Sequence, residues 1–436
     1  MDIFRFNHWW TQKSVRHDLV GKKRQALDDL INFLPKRQML LLKGLRRVGK
    51  TTLMYQLIDQ LLMMHKLEPV FILYFSFDQE VEEIEDILME YSQKVLRKNF
   101  EDVDERCYIF LDEIHKLPNW ANQLKVFYDL YPNLKFIISG SASINVTKSA
   151  KESLAGRVYD FHIWPLNFDE YLKFKGIEVE ADRPDLYQLL IEPQVHTYLR
   201  SSGFIEMLDE DDPAVLSKYF RESILERVVY QDLPESFLIR EPALLLQLLR
   251  VIASHPGLLI EFHTLANEFK RDQRTIAQYC DYLKYVFFLK PLYFFSRNMI
   301  TSEKKLKKYY LSQTAFVYSL LEPYTTQLDE GVLLENLFIS LLDCDFFYRS
   351  TTKEEVDMVQ TDPELLPIEV KYRKQIAPRD LRGIKSFMRR YSCRKGLVIT
   401  RSEERHIQTE IGTIQLIPYW KVLLQYKRRL TEMPKR

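Results

Sequence analysis

The stretch Gly44-Leu45-Arg46-Arg47-Val48-Gly49-Lys50-Thr51, followed by Thr52, decides how this chain is read. It is a complete G-x-x-x-x-G-K-[ST] phosphate-binding loop, and each fixed residue has a physical task. The glycines let backbone N–H groups turn inward around phosphate oxygens. Lys50 brings a point charge to the β- and γ-phosphates, and the Thr51 hydroxyl is a ligand for Mg²⁺. Arg46 and Arg47 receive no catalytic role, being solvated or bound to a neighbouring element. Just upstream, Met39-Leu40-Leu41-Leu42 is short and apolar and bounded by Lys43 and Gly44, as a buried strand would be. Downstream, Leu53, Met54, Leu57, Ile58, Leu61 and Leu62 recur at helical spacing. The loop thus lies between a buried strand and a helix whose N-terminal partial positive charge faces the phosphates. The cofactors expected are ATP and Mg²⁺.

Working outward, Tyr108-Ile109-Phe110-Leu111-Asp112-Glu113 reads as a Walker B strand with its acids at the C-terminal end. That end of the strands is where open α/β sheets bind ligands. Asp112 is expected to hold Mg²⁺ through water, and Glu113 to polarise the attacking water. A further strand, Phe136-Ile137-Ile138-Ser139-Gly140-Ser141, offers Ser139 and Ser141 as small polar contacts to the γ-phosphate or that water. Another apolar run, Val70-Phe71-Ile72-Leu73-Tyr74-Phe75, falls between the two motifs. Apolar strands alternating with helical segments predict an α/β fold, a parallel sheet with helices on both faces.

These segments, with Leu154-Ala155-Gly156-Arg157 and Trp164-Pro165-Leu166, resemble one family. It is the group of bacterial and archaeal AAA+ ATPases fused to a C-terminal domain of restriction-endonuclease-like character. The likeness runs from about residue 20 to about residue 400. It implies a P-loop NTPase core at 21–166 behind an N-terminal segment at 1–20, then a helical lid at 167–240. A winged-helix-like module at 241–298 and a restriction-endonuclease-like domain at 299–436 follow. It also implies that Arg157 lies near the γ-phosphate as a sensor or arginine finger, since a guanidinium fork stabilises charge on a transferring phosphoryl group. Acting in trans, it would require a neighbouring subunit and hence a homo-oligomer. The alternative for Arg157 is a surface ion pair.

The C-terminal half carries its own patterns. Leu244, Leu245, Leu248, Leu249 and Ile252 predict a helix that stops near Pro256-Gly257. A short helix at 263–269 follows, then one opened by the N-cap-competent Asp272. The run Phe287 to Phe294 reads as a two-stranded wing. In that arrangement Arg271, Arg274 and Gln278 lie on the third helix, suited to a nucleic-acid groove, although Glu268, Asp272 and Asp281 dilute the charge. Packing between domains is the alternative use.

Farther on stand Glu335 in a helical pattern, Asp357 at the end of Glu355-Val356-Asp357, and Glu369 and Lys371 in Ile368-Glu369-Val370-Lys371. Strand alternation puts Glu369 and Lys371 on one face. A hairpin bringing Asp357 beside Glu369 would make a two-carboxylate Mg²⁺ site with a lysine near the attacking water. This resembles the PD-(D/E)xK nuclease superfamily, with Glu335 matching its helical acid. Gln313-Thr314-Ala315 departs from the acid-Thr-Gly that the family resemblance implies at this place. From 371 to 395 run Lys371, Arg373, Lys374, Arg379, Arg382, Lys385, Arg389, Arg390, Arg394 and Lys395, interleaved with Tyr372, Phe387 and Tyr391. That composition suits the backbone of DNA or RNA. A solvated helix face or contact with an acidic domain is the alternative.

Bulk composition narrows little beyond this. The chain has 436 residues, 46% hydrophobic and 28% charged, with a net charge of +1, so any nucleic-acid partner must bind a local patch. The four cysteines are scattered, which disfavours a zinc site and points to reduced thiols and a cytoplasmic setting. No apolar run reaches the length of a membrane span.

Overall fold

The computed structural model describes every residue except 1, 64–65, 80–81, 142–151, 181, 323–327 and 426–436. The chain divides into two compact units, one ending at Pro165 and the other beginning at Leu166. Among the described residues the strands form one sheet of five and one of nine.

In the first unit the strands are β1 (Met39–Lys43), β2 (Ile72–Ser76), β3 (Cys107–Asp112), β4 (Leu134–Gly140) and β5 (Val158–His162). They lie in the order β2-β3-β4-β1-β5, and every pairing is parallel. Parallel strands covered on both faces need continuous apolar sequence. Leu40, Leu41 and Leu42 of β1 are fully buried, as are Ile109, Phe110 and Leu111 of β3. Each such side chain contributes about 1.5–3 kcal/mol of transfer free energy. The helix Lys50–Met63 follows β1 and buries Leu53, Met54, Leu57, Ile58, Leu61 and Leu62. Because the strands are parallel, the loop after β1, Asp112 of β3 and Ser139 of β4 all arrive at one edge of the sheet.

The segment before residue 20 is part of this unit. Asn7 treats Tyr74 of the edge strand β2 as a strand partner would. Its Oδ1 accepts from the Tyr74 amide at 2.7 Å, and its Nδ2 donates to the Tyr74 carbonyl at 2.8 Å. The indoles of Trp9 and Trp10 both donate to the Ile72 carbonyl, at 3.2 and 2.8 Å. Side chains thereby satisfy backbone groups that an open edge would leave exposed.

The second unit opens with helices, including Phe168–Phe174 and Gln188–Ser201. The helix Pro242–Ser254 buries Leu244, Leu245, Leu248, Leu249 and Ile252, as their spacing predicts. Phe262–Phe269 and Gln273–Tyr285 follow, the latter capped by the Asp272 carboxylate. The strands are β6 (Leu258–Ile260), β7 (Leu289–Phe294), β8 (Lys307–Leu311), β9 (Phe346–Arg349), β10 (Glu355–Gln360), β11 (Leu366–Lys371), β12 (Lys395–Thr400), β13 (Arg405–Gln408) and β14 (Thr413–Pro418).

The expected wing needs correction. Residues 289–294 are a single strand, and its antiparallel partner is β8, which also pairs with β6. The boundary anticipated at 298 therefore falls inside a hairpin. The sheet also continues without a break, because β7 pairs in parallel with β9. From there β9, β10 and β11 run antiparallel, and β12 joins β11 in parallel after the helix Arg382–Tyr391. Among the described residues no helix is long and apolar enough to cross a membrane.

Candidate functional site

At the phosphate loop the backbone is built for close approach. A Cβ on Gly44 would come within 2.3 Å of the Ile163 carbonyl oxygen, so only glycine fits there. Arg47 and Gly49 take positive φ, 65° and 89°. Leu45 and Val48 point into the core, Arg46 is half-buried and Arg47 is exposed. The Val48 carbonyl is held at 2.8 Å by the buried Arg24, whose other nitrogen reaches the Trp164 carbonyl at 3.0 Å. Gln56, on the helix behind the loop, accepts from the Arg24 amide at 3.2 Å and donates to the carbonyls of Val20 and Lys22, both at 2.8 Å. The loop is thus strapped from below by residues 20–24.

Lys50 folds back over the loop, donating to the carbonyls of Leu45 at 3.0 Å and Gly44 at 3.3 Å. A buried ammonium whose partners are neutral carbonyls is matched to an incoming anion. Beside it, the Thr51 hydroxyl donates to Asp112 Oδ2 at 2.7 Å. Tyr74 donates to the same oxygen at 2.9 Å, and Ser139 donates to Asp112 Oδ1. Burial, and after it the neighbouring Glu113, push the Asp112 carboxyl up, while the hydrogen bonds from Ser139, Thr51 and Tyr74 work the other way. Glu113 sits at φ 53°, a left-handed conformation that is uncommon for a side chain of this kind. Its amide donates to Ser139 Oγ at 3.0 Å and its carboxylate lies 3.3 Å from His115 Nδ1. Ser139 is therefore committed at both ends, a link between Asp112 and the Glu113 backbone rather than an open contact for phosphate.

The site residues Gly44 to Thr52, Asp112, Glu113 and Ser139 thus share one edge of the sheet. Arg157 does not join them. Its carbonyl accepts from the Met39 amide at 2.8 Å, which puts it where β1 and β5 begin. A five-residue strand spans roughly 15 Å, so it lies at the far edge of the sheet. There it forms a bidentate pair with Asp129, Nε to Oδ1 at 2.9 Å and Nη2 to Oδ2 at 3.0 Å. This geometry sets Arg157 apart from the phosphate loop, contrary to the place the resemblance implies for it. The cause is topological, since the chain enters β5 from the edge opposite the loop.

The acids of the C-terminal half come together. Asp357 on β10 and Glu369 on β11 flank Lys371, whose ammonium lies 3.0 Å from Glu369 and 3.9 Å from Asp357. Asp357 also accepts from the Val370 amide at 2.8 Å. Glu335, on the helix Glu330–Leu341, accepts from the Tyr310 hydroxyl at 2.6 Å. Burial first, and then Asp357, push Glu335 up to about 7. Burial raises Glu369 to about 8, against the pull of Lys371. Burial would lower Lys371, but Asp357, Glu369 and Glu335 outweigh it and keep the ammonium charged. One oxygen of Glu369, Oε1, is buried without a hydrogen-bond partner. A Cβ on the helical Gly383 would already lie 2.8 Å from that oxygen, so the helix Arg382–Tyr391 closes over the acid. Among the described residues no group of three or more His, Cys, Asp or Glu is placed to hold a metal. Mg²⁺ needs only one or two carboxylates beside water and phosphate, a set for which Asp357 and Glu369 on either side of Lys371 are the candidates here.

Strand β8 adds two residues that the acid pattern does not include. Tyr310 reaches Glu335, and the buried Lys308 pairs with Glu355. Of the basic residues, Arg373 is paired with Asp380 at 3.0 Å and Lys395 with Glu364 at 2.7 Å. Lys374, Arg379, Arg382, Arg389 and Arg394 are exposed, and Lys385 is half-buried. Arg271 lies before the third helix, Gln273–Tyr285, not on it, and is held by Glu241 at 2.7 Å, while Arg274 and Gln278 on the helix are exposed.

Comparison with known proteins bears on the first unit. Residues 36–172 match the family model described as an AAA domain. With the loop, the Walker B acids and the parallel sheet, this makes the first unit a P-loop NTPase core. Residues 192–326 and 330–422 match two further models, each described as a domain of unknown function. An uncharacterized protein of Methanocaldococcus jannaschii is 28% identical over 422 residues, covering 89% of this chain and 85% of its own. A second from that organism is 25% identical over 433 residues, covering 93% of each. Among solved structures, the Walker-type ATPase PABY2304 of Pyrococcus abyssi covers 70% of this chain and 97% of its own, at 15% identity and a TM-score of 0.39.

Proposed function

We propose that the first unit binds ATP with Mg²⁺ and hydrolyses it, and that the cycle drives a movement coupled to nucleic acid. The observation that carries this reading is the meeting of Lys50, Thr51 and Asp112 at one sheet edge, with Glu113 beside them. The loop amides and Lys50 hold the triphosphate. Thr51 and Asp112 are the residues to hold Mg²⁺, which when bound neutralises phosphate charge. Glu113 orients and polarises the attacking water. Arg157 takes part only by reaching the nucleotide of an adjacent copy, which requires its release from Asp129. The exposed basic residues of 371–395 support a nucleic-acid backbone as partner, and the three helices with the β6, β7 and β8 strands support a winged-helix-like module beside it.

A phosphate-release assay with an equilibrium nucleotide titration tests this. Lys50→Ala should weaken ATP binding by about 100-fold or more, the scale of a lost charge-assisted contact set. Glu113→Gln should keep binding and lose about 100- to 1,000-fold in turnover. Full turnover in Glu113→Gln, or unchanged binding in Lys50→Ala, would refute the assignment.

The grouping of Asp357, Glu369 and Lys371 favours a second reading for the other unit, a PD-(D/E)xK-like fold. In one form it is a metal-dependent DNase gated by ATP, with Asp357 and Glu369 as metal ligands, Lys371 near the water and Glu335 as the helical acid. In the other it is catalytically silent and serves a nucleotide-gated interaction module. Supercoiled and single-stranded DNA incubated with Mg²⁺ or Mn²⁺ separates the two. Cutting that Asp357→Ala abolishes supports the first, and intact DNA supports the second.

A further inference from the structure

Three side chains hold Asp112, and two of them belong to the motifs already discussed. The third, Tyr74, lies on the edge strand β2 and is almost fully buried. Its hydroxyl donates to Asp112 Oδ2 at 2.9 Å, sharing that oxygen with Thr51. Its ring is packed against Tyr55 with centroids 4.9 Å apart, and Tyr55 lies one helical turn beyond Thr51. Its own backbone is gripped on both sides by Asn7, at 2.7 and 2.8 Å. The phenol is thus fixed by three elements, the strand, the phosphate-loop helix and the N-terminal segment. Toward a carboxylate oxygen a phenol acts as the donor, so this hydrogen bond helps set the angle at which Asp112 meets Thr51.

We infer that Tyr74 is a positioning residue for magnesium at the nucleotide site, with Asn7 as its mount. The inference rests on the ATP–Mg²⁺ reading of this site. In this role Tyr74 acts through its hydrogen bond to Asp112. The Tyr74→Phe variant keeps the ring and its packing and removes one oxygen. It should leave the nucleotide affinity measured in chelator within about twofold of wild type. The Mg²⁺ concentration that half-saturates the magnesium-dependent gain in affinity should rise by about tenfold, as expected for losing one hydrogen bond to a charged group.

The experiment is a fluorescent-ATP titration of the full chain, in EDTA and across Mg²⁺ concentrations, for wild type, Tyr74→Phe, Asn7→Ala and Lys50→Ala. Asn7→Ala leaves the ring intact and loosens its mount, so it should shift the Mg²⁺ midpoint in the same direction by a smaller factor. It also carries the test if Tyr74→Phe fails to fold. A Mg²⁺ midpoint in the folded variants equal to wild type overturns the role of Tyr74, and so does an equal loss of affinity with and without metal. Wild type that binds no nucleotide, or Lys50→Ala that binds as well as wild type, overturns the site reading and this inference with it.

Discussion

Glu369 holds a carboxylate in a place that favours the protonated form. Its pKa is raised by burial to about 8 from an ordinary value of 4.5, so between those limits the folded chain binds a proton that the unfolded chain has lost. Stability is then greatest below the ordinary range and falls as pH rises toward about 8. In metal-free buffer the thermal midpoint of wild type should drop more between pH 5.5 and 8.5 than that of Glu369→Gln. Parallel pH profiles would remove Glu369 from that role. The loop glycines, Lys50, Thr51, Asp112 and Glu113 were legible in the sequence, because each sits at a fixed spacing beside a buried strand. Arg24, Gln56 and Tyr74 were not, because they reach the site across the fold and no local spacing marks them. The Ser-Gly turn marks Ser139 as a small polar group at the strand end, but nothing local reveals its hydrogen bonds to Asp112 and the Glu113 amide.

At the scale of elements, apolar runs mark β1 to β4 of the first sheet, and helical spacing marks the helix at 242–254, to within a few residues, whereas β5 carries no such run. What it could not supply was long-range pairing. Lys307 to Leu311 carries lysines and tyrosines and has no apolar alternation to advertise it, yet β8 lies between β6 and β7. The N-terminal segment was equally mute, since Asn7 and two tryptophans in sequence do not announce an edge-strand cover. Its contribution is measurable. Trp9 is fully buried against β2, so Trp9→Ala should lose about 3–5 kcal/mol of stability in urea denaturation. A loss below about 1 kcal/mol would mean that the segment does not hold the strand.

For the whole molecule, the sheet of nine strands makes the C-terminal half hard to subdivide. A fragment beginning at residue 299 would lack β7, leaving β8 and β9 each without the strand between them. It should aggregate, whereas a fragment beginning at residue 166 retains the full sheet and should unfold cooperatively. Sedimentation and thermal melting of the two would settle the matter, and a well-folded fragment from 299 would contradict the pairing. The first sheet has the opposite property. Its last strand ends at His162, so every hydrogen-bonded neighbour it needs comes from a contiguous stretch. During synthesis this portion has its complete set of strands once it clears the ribosome, before the second half has been translated. Nascent chains could therefore acquire a ligand-stabilised amino-terminal half early, leaving the slower, long-range pairing of the remainder to proceed beside a partner already folded.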